Sequence, residues 1–205
     1  MDEVRFSDTT LRDGSSSLWA QGMRTGMMIP IASQLDSVGF DSLEVDVNVS
    51  KKNVRELRED PWERLRLLAA RVKKTPLRGV VGGGYSGTFN TTPPSFHELR
   101  YKCLARNGIR QIRVSEPSHD TVGMRESVRL AKEAGLDVIL NIIYSYSPKH
   151  TDDYYAKKIR EAASLKPFRL CLKDPGGLLT PERMRPLVPV FFQNSNGIPV
   201  ELHTH

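Results

Sequence analysis

The chain has 205 residues, with 30 Lys plus Arg against 24 Asp plus Glu and a formal net charge of +6. A hydrophobic fraction of 39% with 26% charged residues excludes a wholly disordered chain, and the length predicts one domain over residues 1–205. Only two cysteines are present, Cys103 and Cys171, which excludes a disulfide framework and favours a reducing, cytoplasmic location.

Neither a membrane span nor a nucleic-acid partner is predicted. No apolar run approaches the roughly 20 residues of a membrane helix, and the first residues do not resemble a signal peptide. Basic residues are interleaved with acidic ones, as in Arg55–Asp60, and this pattern is typical of solvated helix faces.

Short β-branched runs alternate with longer amphipathic stretches along the chain. The predicted strands are Glu3–Ser7, Ser42–Val47, Thr75–Val81, Gln111–Val114, Asp137–Ile143, Phe168–Leu172 and Pro199–His203. The predicted helices are Met28–Val38, Pro61–Val72, Phe96–Asn107, Thr121–Ala134, Asp152–Leu165 and Pro181–Phe192. Asp60 and Thr180, each followed by proline, are predicted N-caps. The predicted helix ends are Gly39, Gly108, Gly135 and Gly197.

This alternation is typical of a parallel α/β sheet, which is either a doubly wound open sheet or a barrel. An open sheet that binds nucleotides usually has a glycine-rich turn after its first strand, whereas Asp8–Ser15 is polar and charged. Gly82–Gly84 follows the third strand but is only a weak phosphate signal. Polar residues instead follow or end most strands: Arg12, Asp13, Glu44, Arg78, Arg113, Lys173 and His203–His205. We therefore predict an α/β TIM (β/α)8-type barrel, in which such residues meet at one mouth.

The predicted barrel is incomplete. Seven strands are predicted and the chain ends on the seventh, whereas a full barrel has eight strands and about 250 residues. We therefore expect a barrel truncated after the seventh strand or completed by another chain. Two unpaired strand edges would favour self-association, so a homo-oligomer is expected.

Three residues at the ends of the first and seventh strands suggest a metal site. His203 and His205 are two residues apart, so both imidazoles lie on one face of a strand, as two ligands for a divalent metal would. The alternative is an ordinary strand end. Asp13 follows the first strand, which a barrel brings close to the seventh across its mouth, and a carboxylate with two histidines leaves coordination positions open for catalysis. The alternative for Asp13 is a helix cap or an ion pair with Arg12.

Lys173 ends an apolar strand, where a charged amine is costly to bury. Burial lowers the pKa of a lysine and gives a neutral amine. Such an amine reacts as a nucleophile or adds CO2 to become a carbamate, which is an anionic ligand for the same metal. The alternative is an ordinary ion pair with Asp174 or Glu201.

Several motifs resemble a known family. Asp8–Gly14 resembles the D-T-T-[LF]-R-D motif of metal-dependent TIM-barrel lyases and carboxyltransferases related to HMG-CoA lyase. Within that superfamily the chain is most similar to the biotin-dependent carboxyltransferases, the group of pyruvate carboxylase, the oxaloacetate decarboxylase α subunit and the transcarboxylase 5S subunit. The further matching stretches are Glu59–Leu65, Leu77–Gly79 with Tyr85, Lys173–Leu179 and Leu202–His205. Of these, the Lys-Asp-x-x-Gly-Leu-Leu stretch points most directly to carboxyltransferases.

The resemblance implies a site and an activity. The metal ligands would be Asp13, carbamylated Lys173, His203 and His205, and the ion would be zinc, manganese, cobalt or magnesium. Arg12 would support the developing enolate, while Arg78 and Tyr85 would bind a 2-oxo acid and the biotin ring. The implied reaction moves a carboxyl group between biotin and a 2-oxo acid such as pyruvate or oxaloacetate. A biotin carboxyl carrier domain or protein and a biotin carboxylase would be the partners.

The sequence departs from the family at two substrate positions. Ser16 stands where the family has a glutamine that contacts the oxo acid, and Arg78–Tyr85 lacks the family's asparagine. Two alternatives therefore stay open. One is an HMG-CoA lyase-like or isopropylmalate synthase-like enzyme, and the other is an inactive barrel fragment or subunit.

Overall fold

The computed structural model describes residues 4–47, 52–82 and 92–205. Within these ranges seven parallel strands form one sheet in chain order. They are β1 (Ser7–Asp8), β2 (Ser42–Glu44), β3 (Leu77–Gly82), β4 (Ile109–Ser115), β5 (Asp137–Ile143), β6 (Arg169–Asp174) and β7 (Val200–Thr204). Each strand pairs with the one before it, as in a barrel, whereas the strand order of a doubly wound sheet reverses. The predicted barrel-type α/β fold with seven strands is confirmed.

Helices connect successive strands. They are α1 (Ser15–Trp19), α2 (Thr25–Ser37), α3 (Pro61–Arg71), α4 (Pro94–Arg106), α5 (Thr121–Glu133), α6 (Asp152–Ala163) and α7 (Pro181–Asn194), with π-helical turns at Thr10–Gly14 and Lys52–Glu56. The first strand was predicted at Glu3–Ser7 but lies at Ser7–Asp8, and neither α1 nor the π-helical turns were predicted. No helix in the described ranges is long and apolar enough to span a membrane.

The predicted helix boundaries are confirmed by their hydrogen bonds and dihedral angles. Asp60 accepts a hydrogen bond from the Trp62 N–H at 2.8 Å, and Thr180 accepts one from the Arg183 N–H at 3.3 Å. The four predicted terminal glycines adopt the left-handed conformation, with φ between +76° and +100°: Gly39, Gly108, Gly135 and Gly197.

Charged side chains from non-adjacent strands meet inside the curved sheet. Glu44 on β2 bonds to Arg113 on β4, and Arg78 on β3 bonds to Glu201 on β7. Side chains of strands that are not neighbours meet only on the concave face of a rolled sheet. The apolar residues that alternate with them belong to the buried core, among them Leu43, Ile112, Leu140 and Leu172. The sheet therefore has a polar interior and an apolar outer face.

The Glu59–Leu65 motif has a structural explanation. Arg64 on α3 is 2% exposed and donates to Thr25 at 2.9 Å and to Glu59 at 2.7 Å. Glu59 also accepts from the Thr25 hydroxyl at 2.7 Å. This buried arginine fixes α2 against α3, and its hydrogen bonds to the described residues do not involve the ends of β1 and β7.

Candidate metal centre

Three predicted ligands converge where β1 and β7 approach each other. The Oδ2 atom of Asp13 lies 3.0 Å from Nε2 of His205 and 3.3 Å from Nε2 of His203. The two histidine Nε2 atoms are 3.1 Å apart. Ligands that bind one ion at about 2.1 Å, with angles between 90° and 109°, are separated by about 3.0–3.4 Å. The three donor atoms are therefore spaced as one triangular face of a metal coordination shell, and their chemistry fits a borderline divalent ion.

The π-helical turn after β1 holds Asp13 in place. The N–H groups of Arg12, Asp13 and Gly14 all donate to the carbonyl of Thr9, at 2.7–3.2 Å. The Oδ1 atom of Asp13 accepts from Arg12 and from the Ser17 hydroxyl, at 3.1 and 3.2 Å. The ion pair with Arg12 and the contact with the histidines thus occur together, because each uses a different carboxylate oxygen.

Electrostatics keep the ligands in the protonation states that metals bind. Burial alone would raise the pKa of Asp13, but Arg12 and the two histidines outweigh it and hold that pKa below its ordinary value. Burial, together with nearby Arg113 and Lys173, lowers the pKa of His203 to about 4. The imidazole of His203 is therefore neutral at physiological pH, as a metal ligand must be.

Lys173 lies one residue before the end of β6 and is in register with His203 on β7. Burial, followed by the positive charges of Arg113 and Arg12, lowers its pKa. Cationic neighbours add to the effect of burial because both disfavour the ammonium form.

The ion pairs suggested for Lys173 are not formed in the structure. Asp174 is fully buried and accepts the N–H groups of Leu178 and Leu179 at 3.0 and 2.8 Å. Glu201 bonds to arginine instead. In the described part of the chain, Lys173 forms no ion pair within 4.0 Å, so no carboxylate pairs with its ammonium form to oppose the lowering of its pKa by burial and the arginines.

A buried glutamate links the arginines beneath this centre. Glu44 is 1% exposed and accepts from Nε of Arg12 and from Arg113, each at 2.7 Å. Arg113 also donates to Asn141 at 3.3 Å and to Sγ of Cys171 at 3.2 Å. Sequence analysis placed Glu44 and Arg113 at the mouth but assigned them no role. The Glu44 carboxylate fixes the guanidinium that holds Asp13.

The predicted substrate residues are not all gathered at this centre. Arg78 is the second residue of β3 rather than a residue that follows the strand, and its guanidinium bonds to Gln111 and Glu201. Ser16 is half-buried on α1, whereas its neighbour Ser17 contacts Asp13. Tyr85 lies outside the described residues. The contact of Ser17 with Asp13 was not predicted. Its spacing of four residues from Asp13 could have indicated this contact, because residues four apart share a helix face.

One of the cavities in the described part of the chain lies at the opposite end of the sheet from these ligands. A cavity of about 370 Å³ opens at the amino ends of β3 and β4, opposite the strand ends that carry Asp13 and His203. Its lining includes Lys73, Thr75 and Arg110. In barrels of this type the amino-terminal face generally serves stability, and the carboxyl ends of the strands carry the chemistry.

The chain is similar to known carboxylases over its whole length. It is 36% identical to a pyruvate carboxylase subunit of Methanocaldococcus jannaschii over 203 residues, covering 98% of this chain and 36% of the relative. It is 30% identical to the 2-oxoglutarate carboxylase large subunit of Hydrogenobacter thermophilus, covering 99% of this chain and 31% of the relative. No family model matches the chain.

The fold comparison gives the same result. The structure matches the carboxyl transferase domain of Rhizobium etli pyruvate carboxylase, solved with pyruvate, with a TM-score of 0.93 and 28% identity. The match covers 100% of this chain and 36% of that one. The chain thus spans about a third of the length of the proteins it matches. In sequence and in fold the chain is a homologue of the part of these pyruvate carboxylases that it matches.

Proposed function

We propose that the chain provides the metal centre of a carboxyltransferase that moves a carboxyl group between biotin, bound to a separate carrier, and a 2-oxo acid such as pyruvate or oxaloacetate. The observation that supports this most strongly is the convergence of Asp13, His203 and His205 donor atoms, separated by 3.0–3.3 Å. A biotin carboxyl carrier and a biotin carboxylase are the proposed partners.

Lys173 is the proposed fourth ligand, as a carbamate. Its place in register with His203 and its lowered pKa favour a neutral amine beside the other ligands. Addition of CO2 forms one N–C bond and releases one proton to solvent, which converts the side chain into an anion. The new negative charge lies close to Arg113 and Arg12, whose positive charges stabilise it, and it supplies an oxygen ligand.

The chain's own residues prepare the site for enolate chemistry. A divalent metal (zinc, manganese, cobalt or magnesium) would supply a Lewis acid next to the substrate oxygen. Arg12 would stabilise the same developing negative charge, and its guanidinium is already fixed by Glu44 and Asp13. A charge that is held in place before the reaction needs no reorganisation during it. Arg12, Arg78 and Lys173 are the proposed catalytic residues, with Arg78, Ser16 and Tyr85 on the substrate side.

Lys173 also separates this proposal from the alternatives. The HMG-CoA lyase-like and isopropylmalate synthase-like relatives build the site without a carbamylated lysine. The position of Lys173 beside His203 therefore favours carboxyl transfer.

The test is the metal content of the purified chain, measured by plasma mass spectrometry after growth with excess divalent metals. We expect close to one ion per chain in the wild type and a large loss in Lys173→Ala. Lys132→Ala is the matched control, because the exposed Lys132 amine donates only to the carbonyls of Leu165 and Lys166. It should keep its metal.

Labelled bicarbonate provides a second measurement. A carbamate carbon signal should appear in the carbon-13 spectrum of the wild type and be missing from Lys173→Ala. Folded wild-type protein without metal would overturn the proposed catalytic function. Full metal content in Lys173→Ala would overturn the role of the lysine. The homo-oligomer and the cytoplasmic location stay predictions, the first of which light scattering tests directly.

A further inference from the structure

The carboxylate of Glu201 lies among three guanidinium groups. Its Oε1 and Oε2 atoms are 3.0 and 3.1 Å from NH1 of Arg78. Arg169 NH1 lies 3.6 Å from Oε2, and Nε of Arg113 lies 3.9 Å from Oε1. Arg169 and Arg113 hydrogen-bond to Asp41 and Glu44, so Arg78 is the direct partner of Glu201 and the other two add positive potential around it. Glu201 therefore fills an anion site centred on Arg78.

The pairing between Glu201 and Arg78 is incomplete. Both carboxylate oxygens bond to the same nitrogen of Arg78, whereas arginine and carboxylate pair most strongly through two parallel bonds to two nitrogens. The second nitrogen, NH2, is buried and has no hydrogen-bond partner among the described residues. An Asp41 oxygen lies 3.9 Å from it, which is beyond hydrogen-bond distance. Arg78 therefore keeps a buried donor that a differently placed carboxylate would satisfy.

Glu201 is more accessible than the arginine to which it bonds. The side chains of Glu201 and Arg169 are 18% and 19% exposed, whereas those of Arg78 and Arg113 are 2% exposed. Glu201 lies two residues before His203 on the same face of β7, a separation of about 7 Å along the strand. The anion site is thus the next position inward from the proposed metal centre.

We propose that the three arginines form a carboxylate-binding site and that Glu201 occupies it as a built-in competitor. Glu201 thereby determines how tightly the protein holds the carboxylate of a small organic acid. That this acid is the 2-oxo acid substrate rests on the function proposed above. The existence of the site rests only on the arginines and Glu201.

Acetate is the first probe, because it tests the site without any metal. Glu201→Ala leaves a space of carboxylate size between the guanidinium groups. We expect about 50 mM acetate to change the unfolding equilibrium of metal-free Glu201→Ala about tenfold, which raises Tm by about 3–6 °C. Chloride at the same ionic strength should have no such effect. Neither the wild type nor the double variant Glu201→Ala with Arg78→Met should respond to acetate.

Pyruvate binding by titration calorimetry is the second measurement. It compares the wild type with Glu201→Gln, which has nearly the same shape and serves if Glu201→Ala does not fold. Removal of the competing charge should lower the dissociation constant of pyruvate about tenfold, the effect of losing one charge-assisted pairing. Adding Arg78→Met to Glu201→Gln should cancel this gain.

The two proposals fail in different ways. An equal response of wild type and Glu201→Ala to acetate, or unchanged pyruvate affinity in Glu201→Gln, would overturn the role of Glu201. Absence of metal from the wild type would overturn the proposed function, while the acetate result would still decide whether the arginine site exists.

Discussion

Glu44 is the carboxylate that binds Arg12 and Arg113, and its conversion to glutamine should destabilise the fold. It is 1% exposed and accepts one hydrogen bond of 2.7 Å from Arg12 and one from Arg113. Glu44→Gln keeps the shape of the side chain. However, it removes the charge and turns one acceptor oxygen into an N–H donor that faces a guanidinium.

The expected loss can be derived in two ways. Removal of one partner from a buried ion pair costs about 3–5 kcal/mol. Two charge-assisted hydrogen bonds of about 1.5–3 kcal/mol each give a similar range, and the amide oxygen retains one of them. We therefore expect Glu44→Gln to lower the free energy of unfolding by about 3 kcal/mol at pH 7.

The same residue contributes to acid sensitivity. Burial would raise the pKa of Glu44, but Arg113 and Arg12 outweigh it and hold that pKa below the ordinary value of 4.5. A carboxyl group with a depressed folded-state pKa stabilises the fold above its unfolded pKa. That stability is lost as the pH falls from 4.5 through the folded-state pKa. Glu44→Gln lacks this contribution, so its stability should fall less between neutral and acidic pH.

Urea denaturation of the wild type and Glu44→Gln, from pH 7 down to about pH 3, measures both effects. Glu133→Gln is the control, because the Glu133 pair with Arg129 is about half exposed and such pairs contribute only about 0–1 kcal/mol. A loss below about 1 kcal/mol in Glu44→Gln at pH 7, or an acid profile equal to that of the wild type, would refute the reasoning.

Two further predictions concern Gly177 and His119. Gly177 has a φ of +62°, and a Cβ there would lie 3.1 Å from the carbonyl oxygen of His205. Gly177→Ala should therefore lower the free energy of unfolding by about 1–2 kcal/mol and also lower metal affinity. Gly135 has a φ of +80° and open space around it, so Gly135→Ala should lower stability alone, and equal metal affinities of the two variants in calorimetry would contradict the prediction for Gly177. Burial lowers the pKa of His119 to about 4, and its Nε2 accepts from the N–H of Ile143 at 2.8 Å. The free energy of unfolding should therefore decrease as the pH falls from about 6.5 to about 4. His119→Phe should make this decrease smaller in urea titrations. An unchanged pH dependence in the variant would contradict the role given to His119.

Local patterns were sufficient to predict most of the fold. The strand Asp137–Ile143 was predicted at its observed bounds, because an apolar run between a glycine helix end and a polar loop has few alternatives. The N-caps at Asp60 and Thr180 depend on contacts two or three residues away. Most of the predicted metal ligands could be proposed because two short motifs, one after the first strand and one at the end of the seventh, contain Asp13, His203 and His205. Their roles stay predictions.

The interior charge network could not be predicted from the sequence. Arg78 and Glu201 are 123 residues apart, and their contact depends on the curvature of the sheet. Sequence resemblance pointed to Ser16 as the substrate residue, while the structure brings Ser17 to Asp13. The identity of a residue in a motif does not determine which face of a short helix it occupies.

The interior charges also account for the proposed chemistry of Lys173. Four arginines of the interior each have a carboxylate partner: Arg12, Arg78, Arg113 and Arg169 pair with Asp13, Asp41, Glu44 and Glu201. A divalent ion would add two positive charges to this balanced group. Carbamylation converts the neutral amine of Lys173 into an anion and so offsets part of the charge of the ion. Metal binding and carbamylation should therefore each favour the other, since linkage between two such equilibria is reciprocal.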